Sequence, residues 1–276
     1  MGDQFHNPQR IPQGIMKSSQ QRREGFWHLK NSPGARLGPP EVTPASLDGV
    51  PDVARSHFHF ASMTSGPVQE VSCEKRSDGG WTVIQRRNGK GLDGKPVNFR
   101  RSWGDYQRGF GHVGHEHWLG LDYIHALTQQ KGKTCQLRVD MINCKGKSGY
   151  AFYDAFKIGN ESELYRISLG NYVGNVGDAF RGEGHAGSQD GHYFSTIDED
   201  NDDCTVCINR SQAYRSCARD LYGSGWWFSN CGMADLNGDW HPKTQCEGWL
   251  SGVNWETWDR INSLIFSELK VKCTLL

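Results

Sequence analysis

The sequence predicts an α+β domain, rich in sheet with a few short helices, over residues 70–276 behind a proline-rich leading segment. Composition is the first observation. Eight of the ten prolines precede residue 70, whereas nine of the ten tryptophans and all nine cysteines follow it. The second is that two-residue alternation of apolar and polar side chains recurs through the later part. The third is that helix start and stop signals there bracket only short stretches.

Residues 1–69 show no sustained apolar periodicity, and their prolines would interrupt any helix of useful length. They read as a disordered tail. No basic start followed by an apolar run of signal-peptide length is visible, and no stretch is long enough to span a bilayer. The nine cysteines nevertheless point to an oxidising compartment. The expectation is therefore an extracellular, secreted protein whose amino terminus is incomplete or wrongly assigned here.

From residue 70 onward the elements follow in order. Trp81, Val83 and Gln85 alternate with Thr82, Ile84 and Arg86, the pattern of a strand. Ser102 is placed to cap a short helix over residues 103–108, which Gly109 and Gly111 stop. A second short helix is expected over residues 122–127. Leu137, Val139 and Met141 alternate with Arg138 and Asp140, and residues 150–158 and 165–172 follow as strands with turns at Gly146, Gly149 and Gly159. The last strand, residues 264–273, sets Leu269, Val271 and Cys273 on one face and Glu268, Lys270 and Lys272 on the other.

Between these elements lies the chemically dense stretch, residues 194–238. Five acids fall within residues 198–203 (Asp198, Glu199, Asp200, Asp202 and Asp203), and four cysteines and the Trp226–Trp227 pair follow. Carboxylates at alternate positions suit a hard cation, because calcium takes six to eight oxygens. An EF-hand starting at Asp198 is excluded: it requires glycine at loop position 6 and glutamate at position 12, where the chain has Asp203 and Asn209. What stays open from the acids alone is a calcium loop of another type or a solvated acidic turn.

Cys204 and Cys207 resemble half of a zinc site, but Cys217 and Cys231 are too far apart in sequence to supply a close second pair. Disulfides fit better. A Cys217–Cys231 bridge would close a loop over the tryptophans and stabilise by roughly 3 kcal/mol on the chain-entropy estimate. Cys204–Cys207 is expected as the second pair. His112, His115 and His117 lie in a glycine-rich loop without a helix to fix their spacing, and read as loop residues. Asn160 and Asn209 each open a glycosylation triplet.

Several motifs together resemble the fibrinogen-related (fibrinogen C-terminal) domains. They are Gly80-Trp-Thr-Val-Ile-Gln-Arg-Arg87, Trp118-Leu-Gly-Leu121, Gly177-Asp-Ala-Phe180, Phe194-Ser-Thr196, the Asp-x-Asp-Asn-Asp run at 198–202, Gly225-Trp-Trp227 and Leu236-Asn-Gly238, and in order they span residues 70–273. The CxxC insertion behind the acidic run and the Cys231-Gly232 pair look like the angiopoietin and angiopoietin-like branch.

This resemblance implies a central mixed or antiparallel sheet, with the final strand beside residues 136–142, and a loop-rich calcium and pocket subdomain over about residues 174–258. Cys273 would then meet Cys135 or Cys144. Family members pair the cysteine matching Cys73 with one upstream, and here no upstream cysteine exists. The resemblance also implies one Ca2+, held by the carboxylates of Asp200 and Asp202 and the carbonyls of Cys204 and Val206. A shallow pocket beside it would be shaped by Asn230, Cys231, Trp240 and Trp227, with a cis Asn230–Cys231 peptide and one ring of the tryptophan pair left to the core.

For function, the equal totals of 31 Lys+Arg and 31 Asp+Glu give no sign of a nucleic-acid or anionic-membrane partner. No nucleophile elbow, phosphate-binding loop, dinucleotide fingerprint or HExxH motif is present, so an enzyme is not expected. The resemblance implies a binding module. Fibrin-type peptide recognition needs two aspartates where this chain has Tyr222 and Leu250. Acetyl-sugar recognition places a histidine at Gly232, although Trp240 and Trp255 keep an aromatic pocket. The expected partner is an extracellular protein receptor or matrix component, with an acetylated glycan as the alternative.

Overall fold

A computed structural model describes residues 55–60, 69–182, 187–209, 212–248 and 251–276. Its strands are β1 (Arg55–Phe60), β2 (Gln69–Arg76), β3 (Gly79–Arg87), β4 (Phe110–Gly111), β5 (His117–Trp118), β6 (Lys133–Ile142), β7 (Ser148–Tyr153), β8 (Phe156–Ile158), β9 (Ile167–Leu169), β10 (Tyr172–Gly174), β11 (Cys207–Asn209), β12 (Gln212–Tyr214), β13 (Ala234–Asp235), β14 (Asn254–Trp255) and β15 (Phe266–Leu275). The helices are α1 (Trp103–Arg108) and α2 (Leu121–Thr128).

One antiparallel sheet carries the domain, in the order β1-β2-β3-β15-β6-β7-β10. The final strand lies where expected, paired with β6 from Phe266↔Ile142 to Leu275↔Lys133. That register sets Cys273 opposite Cys135, and these two are bridged; Cys144 is bridged to Cys246 instead. Each bridge joins segments more than 100 residues apart (separations 138 and 102), the class of loop whose closure most restricts the unfolded chain.

Ser102 caps α1 as the sequence predicts. Its Oγ accepts from Asp105 N at 3.3 Å, and Gly109, at φ 92°, ends the helix. Ahead of α1, the Arg87 guanidinium lies over the Phe99 ring, 3.9 Å from its centroid. The single strand expected over 150–158 is broken into β7 and β8, and the one over 165–172 into β9 and β10. Asp154 sits at the break and accepts from Asn171 N at 2.6 Å, which ties the two turns together.

The domain begins earlier than the composition suggests. β1 lies within the segment read as a tail and pairs with β2 from Arg55↔Glu74 to Phe60↔Gln69, so the boundary at residue 69 is too late. Histidines alternating with Phe58 and Phe60 supply the pattern, which the surrounding prolines obscure. The rest of the expected tail, residues 1–54 and 61–68, lies outside the described residues. Cys73 faces Ser56 across this pair and is a free thiol, its Sγ 4.0 Å from the Thr82 hydroxyl. Among the described residues no helix is long and apolar enough to cross a membrane.

The charged face of β15 is buried. Lys270, only 2 % exposed, reaches Glu74 on β2, Asp140 on β6 at 2.7 Å and Glu268 at 3.1 Å, while Arg86 on β3 holds Glu268 at 2.6 Å. On the opposite face Leu137, Val139, Leu269 and Val271 join the aromatic core that reaches under the cysteine-rich stretch.

Candidate functional site

The acidic run is anchored from beneath by main-chain exchange between Ser195 and Trp226, whose N–H groups donate to each other's carbonyls at 2.9 and 3.0 Å. Asn201 then folds back, its N–H donating to Ser195 Oγ at 3.0 Å and its amide to Phe194 O at 2.9 Å. The five acids consequently do different work. Asp198 accepts from Trp103 N at 2.9 Å and from the Thr196 hydroxyl at 2.7 Å, so it serves the first turn of α1, where a carboxylate is favoured. Asp203 points outward, in the left-handed region at φ 58°.

Asp202 is the organiser. It is 1 % exposed, its Oδ1 accepts from Cys204 N at 2.9 Å and its Oδ2 from Cys217 N at 2.6 Å. Those two cysteines belong to different bridges, Cys204–Cys207 and Cys217–Cys231, with Cα separations of 5.4 and 5.1 Å. One carboxylate thus fixes both. All four sulfurs are buried within 4.8 Å of one another, yet they are bonded in pairs, which leaves no thiolate set for zinc. Ser216 caps the π-helical turn over Cys217–Tyr222 by accepting from Arg219 N at 3.2 Å, and this turn delivers the Cys217 N–H to Asp202.

Burial pushes the Asp202 carboxyl up to about 6, against the two N–H donors, and the neighbouring Asp200 carboxylate adds to the rise. A buried carboxylate with an exposed carboxylate two residues away is of the oxygen-donor type that a divalent cation takes. The residues present therefore fit the implied ion. Val206, 64 % exposed, stands at the tip of the small Cys204–Cys207 loop, and the N–H of Asn230 donates to Asp202 O at 3.3 Å.

A family model for the C-terminal globular domain of fibrinogen beta and gamma chains matches residues 56–274. The chain belongs to the fibrinogen C-terminal domain family. It is 40 % identical over 200 residues to angiopoietin-4 of Bos taurus, covering 72 % of this chain and 35 % of that one. It is 42 % identical over 195 residues to human fibroleukin, covering 70 % and 40 %. The chain thus spans well under half the length of these relatives. Among solved structures it is similar to the fibrinogen-like globe domain of human ANGPTL2, with a TM-score of 0.67 and 32 % identity over 80 % of this chain and 94 % of that one.

Within this fibrinogen C-terminal domain, the pocket residues expected from the sequence are only partly together. Asn230 and Cys231 do lie at the acidic loop. Their peptide is not cis: there is no cis bond among the described residues, and the reversal is made by two left-handed residues, at φ 45° and 66°. Trp227 is not a pocket wall either. Both tryptophans are fully buried; Trp227 donates to Tyr165 O at 2.8 Å and meets Phe194 edge-on at 5.1 Å, while Trp226 stacks on Phe180 at 5.6 Å. Each ring has an aromatic partner on the core side, so neither is left for a ligand.

Trp240, half-buried, packs over Gly89 and donates to Ile265 O at 2.9 Å. Trp255 is core, with its indole N–H on Gly177 O at 3.0 Å, and Tyr222 stacks on Phe228 at 5.0 Å. Leu250 lies outside the described residues. Of the two sequons, Asn160 is exposed and its side chain caps the turn at Glu161–Glu163 by accepting from Glu163 N at 3.2 Å. Asn209 ends β11, and Ser211 of its triplet lies outside the described residues. The roles of Asp198 and Asp202 as backbone acceptors escape sequence reasoning, because their partners are main-chain N–H groups that any residue supplies.

Proposed function

We propose that this domain is the partner-binding globe of a secreted, non-enzymatic protein that recognises an extracellular protein receptor or matrix component. Recognition uses the surface around the two adjoining bridges, where Val206 is 64 % exposed and Tyr193 37 % exposed, with Asn230 also exposed. A structural Ca2+ holds that surface in shape, bound by the carboxylates of Asp200 and Asp202 and the carbonyls of Cys204 and Val206. The observation that carries the reading is Asp202: one buried carboxylate fixes both bridged loops and has a second carboxylate beside it. Kinship with angiopoietin-4 supports a protein partner and a secreted chain. Exposed Asn160 is proposed to carry a glycan, as is Asn209.

The test applies biotinylated chain to intact cells, before and after surface proteolysis, and to an array of acetylated sugars. Protease-sensitive cell binding that Val206→Asp weakens supports a protein partner. Strong, calcium-dependent retention on the array would replace it with a sugar-binding reading.

A further inference from the structure

A cavity of about 460 Å3 opens where the end of α2, the start of β6 and the β8–β9 pair meet. It shares no residue with the acidic loop. Lys131, Lys133 and Lys157 line it together with the hydroxyl-bearing Thr134 and Ser168 and an apolar wall at Phe156, and no carboxylate lines it. In a chain whose cations and anions balance at 31 each, this is a local excess of positive charge. Lys131 and Lys157 are exposed and form no ion pair among the described residues. The neighbouring acid in sequence, Asp154, is turned toward Asn171, accepting from its N and Nδ2 at 2.6 and 2.9 Å.

The end of α2 would ordinarily repel an anion through its free carbonyls. Two of these are occupied here: His125 O accepts from Gln129 N at 2.9 Å and Leu127 O from Gln130 Nε2 at 2.9 Å.

We propose that this cavity binds a sulfated sugar unit. Its volume lies within the roughly 300–1,000 Å3 typical of small-ligand sites. Lysines drawn from two segments, Lys131 and Lys133 around the start of β6 and Lys157 on β8, with no planar arginine fork, suit sulfates spread around a ring better than one carboxylate taken bidentately. The hydroxyl-bearing residues and the apolar wall suit the alternating polar and C–H surface of a sugar.

The test is calorimetry of the whole chain with a fully sulfated disaccharide, the same disaccharide without sulfate, inorganic sulfate and an oligo-aspartate peptide. Saturable binding of the sulfated disaccharide alone is expected, weakening as salt is raised because the contacts are exposed. The triple variant Lys131→Gln, Lys133→Gln, Lys157→Gln should lose about tenfold in affinity or more, three weak exposed contacts summing to that order. A control with equal charge loss, Lys75→Gln, Lys95→Gln, Lys145→Gln, should bind as wild type does. The proposal is overturned if the sulfated disaccharide does not bind, if the control loses as much as the cavity variant, or if inorganic sulfate, the unsulfated sugar or the peptide binds equally well.

Discussion

The central sheet and the cysteine-rich loops both bury carboxylates, and they compensate for it differently. In the sheet Glu74 and Glu268 are matched by cations of the chain itself, Lys270 and Arg86, drawn from adjacent strands. In the loops Asp202 is held by two backbone N–H groups beside a like-charged neighbour; Arg219, whose direct partner is Asp220 at 2.9 Å, reaches Asp200 and Asp202 only through its field. Removing a charge from water is costly unless it is paired and hydrogen-bonded. The buried carboxylates of the sheet are matched by cations of the chain, whereas the buried carboxylate of the loop is the place where the proposed Ca2+ would act.

The strongest perturbation of the contrast is on the sheet side. Lys270→Met removes the cation shared by the buried Glu74 and Glu268 and by the half-buried Asp140 and should cost roughly 3–5 kcal/mol in denaturant unfolding, with no change in any response to calcium. A smaller loss would show that water or a side-chain shift replaces the ammonium. On the loop side, Cys217→Ala with Cys231→Ala opens a bridge of sequence separation 14 and should cost about 3 kcal/mol. It should also blunt calcium's stabilising effect, because Asp202 loses a fixed N–H partner. Mass mapping of non-reduced peptides checks the pairing itself, and Cys217 joined to any residue other than Cys231 would contradict it.

The two regions should also answer pH with opposite signs. His117 on β5 is buried and neutral: burial, then the Arg86 charge, lowers it to about 4 from an ordinary 6.5. Its contribution is complete above pH 6.5 and is lost as pH falls toward 4. Asp235 on β13 is raised by burial to about 7 from an ordinary 3.8, with the Ser224 hydroxyl and Asn237 N–H opposing the rise. Its contribution is complete below pH 3.8 and is lost as pH rises through 7. His117→Phe should therefore flatten the acid side of the stability profile, and Asp235→Asn the neutral side, each by roughly 3–4 kcal/mol. Identical profiles for wild type and both variants would remove these groups from the account.

Much of this architecture is legible in the sequence because it depends on local pattern. Alternation places β3, β6 and β15, Ser102 and Gly109 bracket α1, and cysteine spacing pairs 204 with 207 and 217 with 231. What is not legible depends on where distant segments meet. That Trp240 packs over Gly89 and donates to Ile265 O is set by segments far apart in the chain. Trp227 looks available for a pocket until Tyr165 and Phe194 enclose it. Asp202 looks like one ligand among five acids, and only the fold shows which carboxylate is buried against two N–H groups. The lysine-lined cavity likewise combines segments of three regions that no spacing rule connects.

Calorimetric titration of calcium into wild type and Asp200→Ala, with melting temperatures recorded in calcium and in chelator, addresses the incomplete charge of the loop most directly. At ten times its dissociation constant the ion should stabilise wild type by about 1.4 kcal/mol, and Asp200→Ala should bind none and melt alike in both conditions. No heat of binding in wild type, with a melting temperature indifferent to chelator, would contradict the claim that the acidic loop is built around an external cation.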